Sequence, residues 1–187
     1  MSLGNVFITD VNGNIPYESS SSNEKVTGLL FDVSLQPELF TSGYGKNNEV
    51  KLKMNDVVYI TSFSSAVKDF GIIERVATTE EDENDVNFLH GIPAYHIKEF
   101  FRMSANNSGK MYVMFADCSA SWDALETMQR VAGGTINQLG VWTEQPLWKA
   151  NGAECKYNLH LVKGLNEKAE TLASQNQPLS LILCANP

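Results

Sequence analysis

Apolar positions in the second half of the chain follow two different periods. Residues 110–117 are apolar at nearly every position, which predicts a strand that is covered on both faces. Elsewhere, apolar residues three and four apart on a polar background predict helices. The predicted order is a helix over 95–103, the strand 110–117, a helix over 122–132, a strand over 136–142, a helix over 158–174 and a strand over 179–185. This alternation is typical of right-handed crossovers over a mostly parallel sheet.

The first half of the chain predicts strands and loops. Strands are predicted over 26–33 and 56–63, and the second leads into a short helix that is capped at Ser64 or Ser65 and ends at Gly71. Residues 1–24 hold a turn signal and a serine-rich stretch, so we expect an N-terminal arm there and an α/β domain over 25–187. The predicted fold class is α/β, with a mostly parallel (mixed) sheet flanked by helices and a β-rich N-terminal segment.

The composition narrows the class of partner. With 187 residues, 43% of them hydrophobic, the chain can bury a substantial core. Its 14 Lys and Arg against 22 Asp and Glu give a net charge of −8, the wrong sign for neutralising phosphates, so we expect no nucleic acid partner. Five of the acids lie within 80–85, a run typical of a solvated loop. No apolar run reaches the roughly 18 residues that cross a bilayer, so we expect no membrane partner.

The cysteine and glycine patterns favour no familiar cofactor. Three cysteines with wide spacings form neither a zinc pattern nor a complete disulfide framework, which favours a reducing compartment and synthesis in the cytoplasm. The glycine pair Gly133-Gly134 ends a predicted helix, whereas a phosphate-binding loop begins one. We therefore expect no cofactor.

The clearest local motif stands where an apolar strand meets a helix. Asp117, Ser119 and Ser121 have the D-x-S-x-S spacing of the metal-ion-dependent adhesion site of von Willebrand factor A domains, which they resemble. A carboxylate and two hydroxyls on such a turn suit a hard divalent cation, so a metal-dependent adhesion module is one alternative. The other interpretation is structural: Ser119 or Ser121 caps the helix and Asp117 complements its dipole.

Cys118, inside the same motif, raises an enzymatic alternative. A thiol at the start of a helix can have a lowered pKa and act as the nucleophile of a small cysteine-dependent α/β hydrolase. The base would come from His90, His96 or His160, none of which the sequence places beside Cys118. A small buried cysteine is the more frequent arrangement, so we assign no catalytic residue.

Several segments, in order, resemble the tail sheath-like proteins of Mu-like phages and contractile injection systems. The resemblance runs over about residues 25–185. Its pieces are the strand beginning Lys25-Val-Thr-Gly-Leu-Leu-Phe, the strand and short helix over 57–72, the helix and strand over 95–114, the glycine turn and strand over 132–141, and the last helix, proline and strand over 172–183.

That resemblance implies a non-enzymatic structural subunit. Its copies would form a homo-oligomer of stacked rings around a tail tube protein, and terminal arms would add strands to the sheet of a neighbour. The candidate interface strand is Val6, Phe7, Ile8 and Thr9, followed by a Gly-, Asn- and Ser-rich tether. The protein would be made in the host cytoplasm and assembled into a virion or a phage-tail-like particle.

Overall fold

A computed structural model describes residues 26–35, 52–72, 87–104, 109–151 and 154–186. The expected arm 1–24, including its candidate strand 6–9, and the acidic run 80–85 lie outside the described residues. Within the described ranges, no helix combines the length and the apolar character that crossing a bilayer requires.

Five strands form one mixed sheet. They are β1 (Val26–Asp32), β2 (Val57–Ile60), β3 (Lys110–Ala116), β4 (Gln138–Pro146) and β7 (Ser180–Asn186), and a separate hairpin joins β5 (Trp148–Asn151) to β6 (Glu154–Tyr157). The order across the sheet is β2-β3-β1-β4-β7. β3, β1, β4 and β7 run parallel, and β2 pairs antiparallel to β3. The prediction of an α/β fold with a mostly parallel, mixed sheet is confirmed.

Four described helices cover the sheet. They are α1 (Phe63–Phe70), α2 (Asn87–Met103), α3 (Ala124–Val131) and α4 (Leu159–Ser174). The end predicted for α1 is confirmed, because Gly71 takes the left-handed φ of 70° that favours glycine. The predicted cap is wrong by two or three residues: the hydroxyl of Ser62, rather than Ser64 or Ser65, accepts a hydrogen bond from the Ser65 amide.

Two apolar clusters lie on opposite faces of the sheet. The strand period sends neighbouring side chains to opposite faces, so Leu30 enters one cluster and Phe31 the other. Met114 and Phe115 of β3 divide in the same way, which explains why that strand is apolar at consecutive positions. The clusters contain α3 and α4 residues on one face and α1 and α2 residues on the other. The sheet is therefore the middle layer of three.

The segment after β4 differs from its prediction. Residues 143–157, between the strand predicted over 136–142 and the helix predicted over 158–174, were expected to form a loop. Instead, β4 continues to Pro146, and the backbone of β5 pairs with that of β6 from Trp148 and Tyr157 to Asn151 and Glu154. Pro146 and Gly152 are turn signals in the sequence, but no local signal predicted that the segments on either side of Gly152 pair as strands. The remaining predicted helices and strands among the described residues agree with the structure to within a few residues at their ends, apart from the start of α2, which lies eight residues earlier.

Candidate functional site at the carboxyl edge of the sheet

The carboxyl ends of β1, β3 and β4 meet at one edge of the sheet, because these strands are parallel neighbours. The helices α1 and α2, which lie between β1 and β3 in the chain, cover one face of the sheet, and α3, which follows β3, covers the other. Such a reversal opens a crevice outside the strand ends, where α/β proteins commonly bind ligands. The polar residues at this edge are therefore candidates for a functional site.

Asp32, the last residue of β1, is the most connected polar group at this edge. Its side chain is only 2% exposed. Oδ1 accepts hydrogen bonds from the backbone amides of Ser34 (3.0 Å) and Cys118 (3.1 Å). Oδ2 accepts from the hydroxyl of Thr143 (2.7 Å) and from Nε2 of Gln145 (2.8 Å). Four donors on two oxygens suit an ionised carboxylate, which only accepts.

These bonds join the carboxyl ends of three different strands. Ser34 follows β1, Cys118 follows β3, and Thr143 and Gln145 lie near the end of β4. The Gln145 amide also donates to the Thr143 hydroxyl (3.0 Å), and Gln145 Nε2 reaches Ser34 Oγ (3.2 Å). Because a buried carboxylate fixes every donor around it, this network holds the floor of the crevice in one arrangement.

The D-x-S-x-S turn is exposed beside this network. Oδ1 of Asp117 accepts from the Ser119 amide (2.9 Å). Hydrogen bonding by Ser119, through its side chain and its amide, lowers the pKa of Asp117. Ser121 donates instead to Oδ2 of Asp123 (2.8 Å). The expectation that Ser119 or Ser121 caps the next helix is wrong, since Asp123 occupies the N-cap position of α3.

The metal alternative would use Asp117, Ser119 and Ser121 as ligands. The Asp117 carboxylate accepts from the Ser119 amide, and the Ser121 hydroxyl donates to Asp123. Among the described residues, no group of three or more His, Cys, Asp and Glu is placed to hold a metal ion. The spacing of the motif is present at Asp117, but the carboxylate that accepts hydrogen bonds from several neighbouring segments is Asp32.

Cys118 lacks the environment of a nucleophile. Its side chain is fully buried, and burial, reinforced by the negative charges of Asp32 and Asp117, strongly raises the pKa of the thiol. Nε2 of His160 lies 3.0 Å from the carbonyl oxygen of Cys118. His96 lies on the opposite face of the sheet, and burial lowers its pKa. The side chain of His90 lies outside the described part of the structure.

His160 is fixed by the residues around it. Trp122 donates from Nε1 to the carbonyl oxygen of His160 (3.1 Å), and its ring lies beside the imidazole with centroids 6.0 Å apart. Gly164 makes this contact possible, because a Cβ there would lie 2.7 Å from Cδ1 of Trp122. A side chain at position 164 would therefore displace the ring of Trp122, which holds the first turn of α4 through its hydrogen bond to His160.

A cavity of about 320 Å³ opens above the Asp32 network. Its lining residues come from four places in the fold. They are Ser34 and Leu35 after β1, Ser119 after β3, Gln145 and Pro146 at the end of β4, and His160 at the start of α4. A larger groove of about 610 Å³ runs along α3 and α4 away from this edge. Two residues of that groove, Asp123 and Glu126, form ion pairs with Lys168. The smaller cavity is the one at the crevice between strand ends.

The sequence predicted only part of this site. Its motif comprises Asp117, Ser119 and Ser121, whereas Asp32, Thr143 and Gln145 were not predicted. The available signal was Asp32 itself, a carboxylate at the end of an apolar strand, as Asp117 is. Comparisons with protein-family models, with curated proteins and with solved structures give no match to this chain.

Proposed function

We propose that this chain is a structural subunit of a contractile, phage-tail-like sheath, which assembles with copies of itself around a tail tube. The proposal rests on the ordered resemblance to tail sheath-like proteins and on one observation: among the described residues, β7 is an edge strand of the sheet. Of the elements described, only β4 pairs with β7. A subunit that joins its neighbours by strand addition needs such an edge.

The backbone of β7 presents hydrogen-bonding groups on its open side. The Ser180 amide donates to the Asn137 carbonyl (2.8 Å), so Ser180 and the residues two and four positions later point their backbone groups towards β4. By the same alternation, the N–H and C=O groups of Leu181 and Leu183 point away from β4. An added strand would satisfy these groups.

The sequence of β7 offers no protection against pairing. Edge strands are commonly shielded by charged residues, proline or short length. β7 is seven residues long and contains neither a charged residue nor a proline, and Ile182 is 49% exposed. The opposite edge strand, β2, has only four residues. The β7 edge is therefore the better site for an added strand.

The candidate strand for this edge is the apolar segment 6–9 of a neighbouring copy. Residues 10–25 separate it from β1, and sixteen residues can span roughly 50 Å when extended. That reach exceeds the distance across one sheet of five strands, roughly 20 Å. An arm of this length can therefore join subunits without strain on the fold.

The test compares assembly of the full chain with that of three variants. Deletion of residues 1–24 removes the arm. Leu183→Pro removes an outward N–H, whereas Leu183→Ala loses the same packing but keeps that N–H. We expect hollow tubes or stacked rings in negative-stain electron microscopy from the full chain and from Leu183→Ala. We expect single particles with an unchanged circular dichroism spectrum from the deletion and from Leu183→Pro.

Two results would overturn the proposal. The first is that the full chain remains as single particles at every protein concentration. The second is that the deletion and Leu183→Pro assemble as the full chain does, since neither the arm nor the β7 edge would then join subunits.

A further inference from the structure

The cavity at the carboxyl edge has chemistry of its own, separate from the β7 edge. Four of its six lining residues carry polar side chains, contributed by segments that the Asp32 network holds together. Small-molecule sites commonly combine an apolar wall with a few fixed polar groups. The hydrogen-bonding capacity left over on these four side chains therefore defines the ligand that fits.

Gln145 presents its carbonyl oxygen. The side chain is 7% exposed, and Nε2 donates to Asp32 and to Ser34. Since an amide has donors only on its nitrogen, Oε1 can only accept, and no described residue donates to it. A buried acceptor without a donor is costly, which makes this oxygen a strong attachment point for a ligand N–H.

Ser119 and His160 are also left as acceptors. No described residue donates to Ser119 Oγ, so the lone pairs of that hydroxyl are open to a donor on a ligand. His160 faces the Cys118 carbonyl with Nε2, so that nitrogen carries the proton and Nδ1 holds the lone pair in the neutral ring. The oxygen of Ser34 already accepts from Gln145, so Ser34 has less accepting capacity left than these two side chains.

The charges near the cavity agree with this inventory. None of the lining residues is a lysine or an arginine, while Asp32 lies below the cavity and Asp117 beside Ser119. The opposing influence is the amino end of α4, where Asn158 makes no side-chain cap and the helix dipole attracts anions. Three open acceptors and two carboxylates outweigh that partial charge.

We infer that this cavity binds a guanidinium or ammonium group. Such a group brings several N–H donors to Gln145 Oε1, Ser119 Oγ and His160 Nδ1, and its charge complements Asp32 and Asp117. Either a free amine or a basic side chain of another protein supplies this chemistry. The inference concerns single chains, so it stands or falls independently of sheath assembly.

The test is a titration of the full chain with L-argininamide, followed through the ¹H–¹⁵N signals of the His160 imidazole. We expect saturable shifts, and weaker or no response to inorganic phosphate. Ser119→Lys places an ammonium at the cavity and should weaken argininamide binding about fivefold or more through repulsion. The control Ser121→Lys adds the same charge two residues away, at a position that does not line the cavity, and should bind nearly as the unmodified chain does.

Three outcomes would overturn the inference: no saturable shift, tighter binding of phosphate than of argininamide, or equal weakening by Ser119→Lys and Ser121→Lys. A second arm distinguishes the sources of the cation. If an acetylated and amidated Gly-Arg-Gly peptide binds as tightly as argininamide, the site takes a protein side chain. If only argininamide binds, the site takes a free amine.

Discussion

Asp32 and Asp117 end neighbouring parallel strands, yet their surroundings are opposite. Asp32 is buried and accepts four hydrogen bonds from residues at the carboxyl ends of three strands. Asp117 is exposed and its hydrogen bonds go to Ser119, two residues away. Both follow apolar strands, so local sequence alone does not distinguish them.

Their places in the sheet explain the difference. β1 lies between β3 and β4, and the carboxyl ends of all three strands lie at the same edge, so donors reach Asp32 from both sides. β3 has β1 on one side and the antiparallel β2 on the other, and β2 begins where β3 ends. Asp117 therefore has a carboxyl end beside it on one side only. Strand order, more than the motif, decides which carboxylate organises the edge.

The largest effect should come from Asp32→Ala. Removing the carboxylate leaves two backbone amides, the Thr143 hydroxyl and the Gln145 amide without their acceptor inside the protein. Because unsatisfied buried groups cost about 1–3 kcal/mol each and partial relaxation recovers some of that, we expect a loss of about 3–5 kcal/mol. Urea unfolding measures the loss. A value under about 1 kcal/mol would show that the network does not hold the edge together.

A smaller effect is expected from Thr143→Val, which keeps the shape and removes one donor. The hydroxyl of Thr143 is buried, donates to Asp32 and accepts from the Gln145 amide. The variant leaves Asp32 with three donors and should lose about 1–2 kcal/mol of unfolding free energy. Combined with Asp32→Ala, it should cost little more, because the two residues share one interaction. Additive losses would mean that they act separately.

Much of the fold was predictable because its signals are local. The apolar run of β3, the helical periodicity of α4 and the glycine that ends α1 each act within a few residues. The hairpin β5–β6 was missed because its pairing joins residues whose local sequence is typical of a loop. The antiparallel direction of β2 likewise follows from pairing with β3, which lies some fifty residues further along the chain.

The site was less predictable than the fold, because its contacts are distant in sequence. The hydrogen bonds from Thr143 and Gln145 to Asp32 span 111 and 113 residues, and that from Cys118 spans 86. No spacing rule connects such positions until the strand order is known. The motif at Asp117 was visible because its three side chains lie within five residues. The motif therefore does not indicate which carboxylate accepts the hydrogen bonds that join the strand ends.

The smallest effect should come from Asp117→Asn. The Asp117 side chain is exposed and its partner is local, so at neutral pH the free energy of unfolding should change by less than about 0.5 kcal/mol.

Hydrogen bonds from Ser119 lower the folded pKa of Asp117 below its unfolded value. Its contribution is therefore complete at neutral pH and is lost only as the pH falls through the folded pKa, below about pH 4. Urea unfolding from pH 7 to pH 2.5 should show a slightly flatter acid limb in Asp117→Asn than in the control Asp69→Asn, which removes the same charge from the exposed side of α1. A loss comparable to that of Asp32→Ala would mean that both carboxylates organise the edge, and the contrast between them would fail.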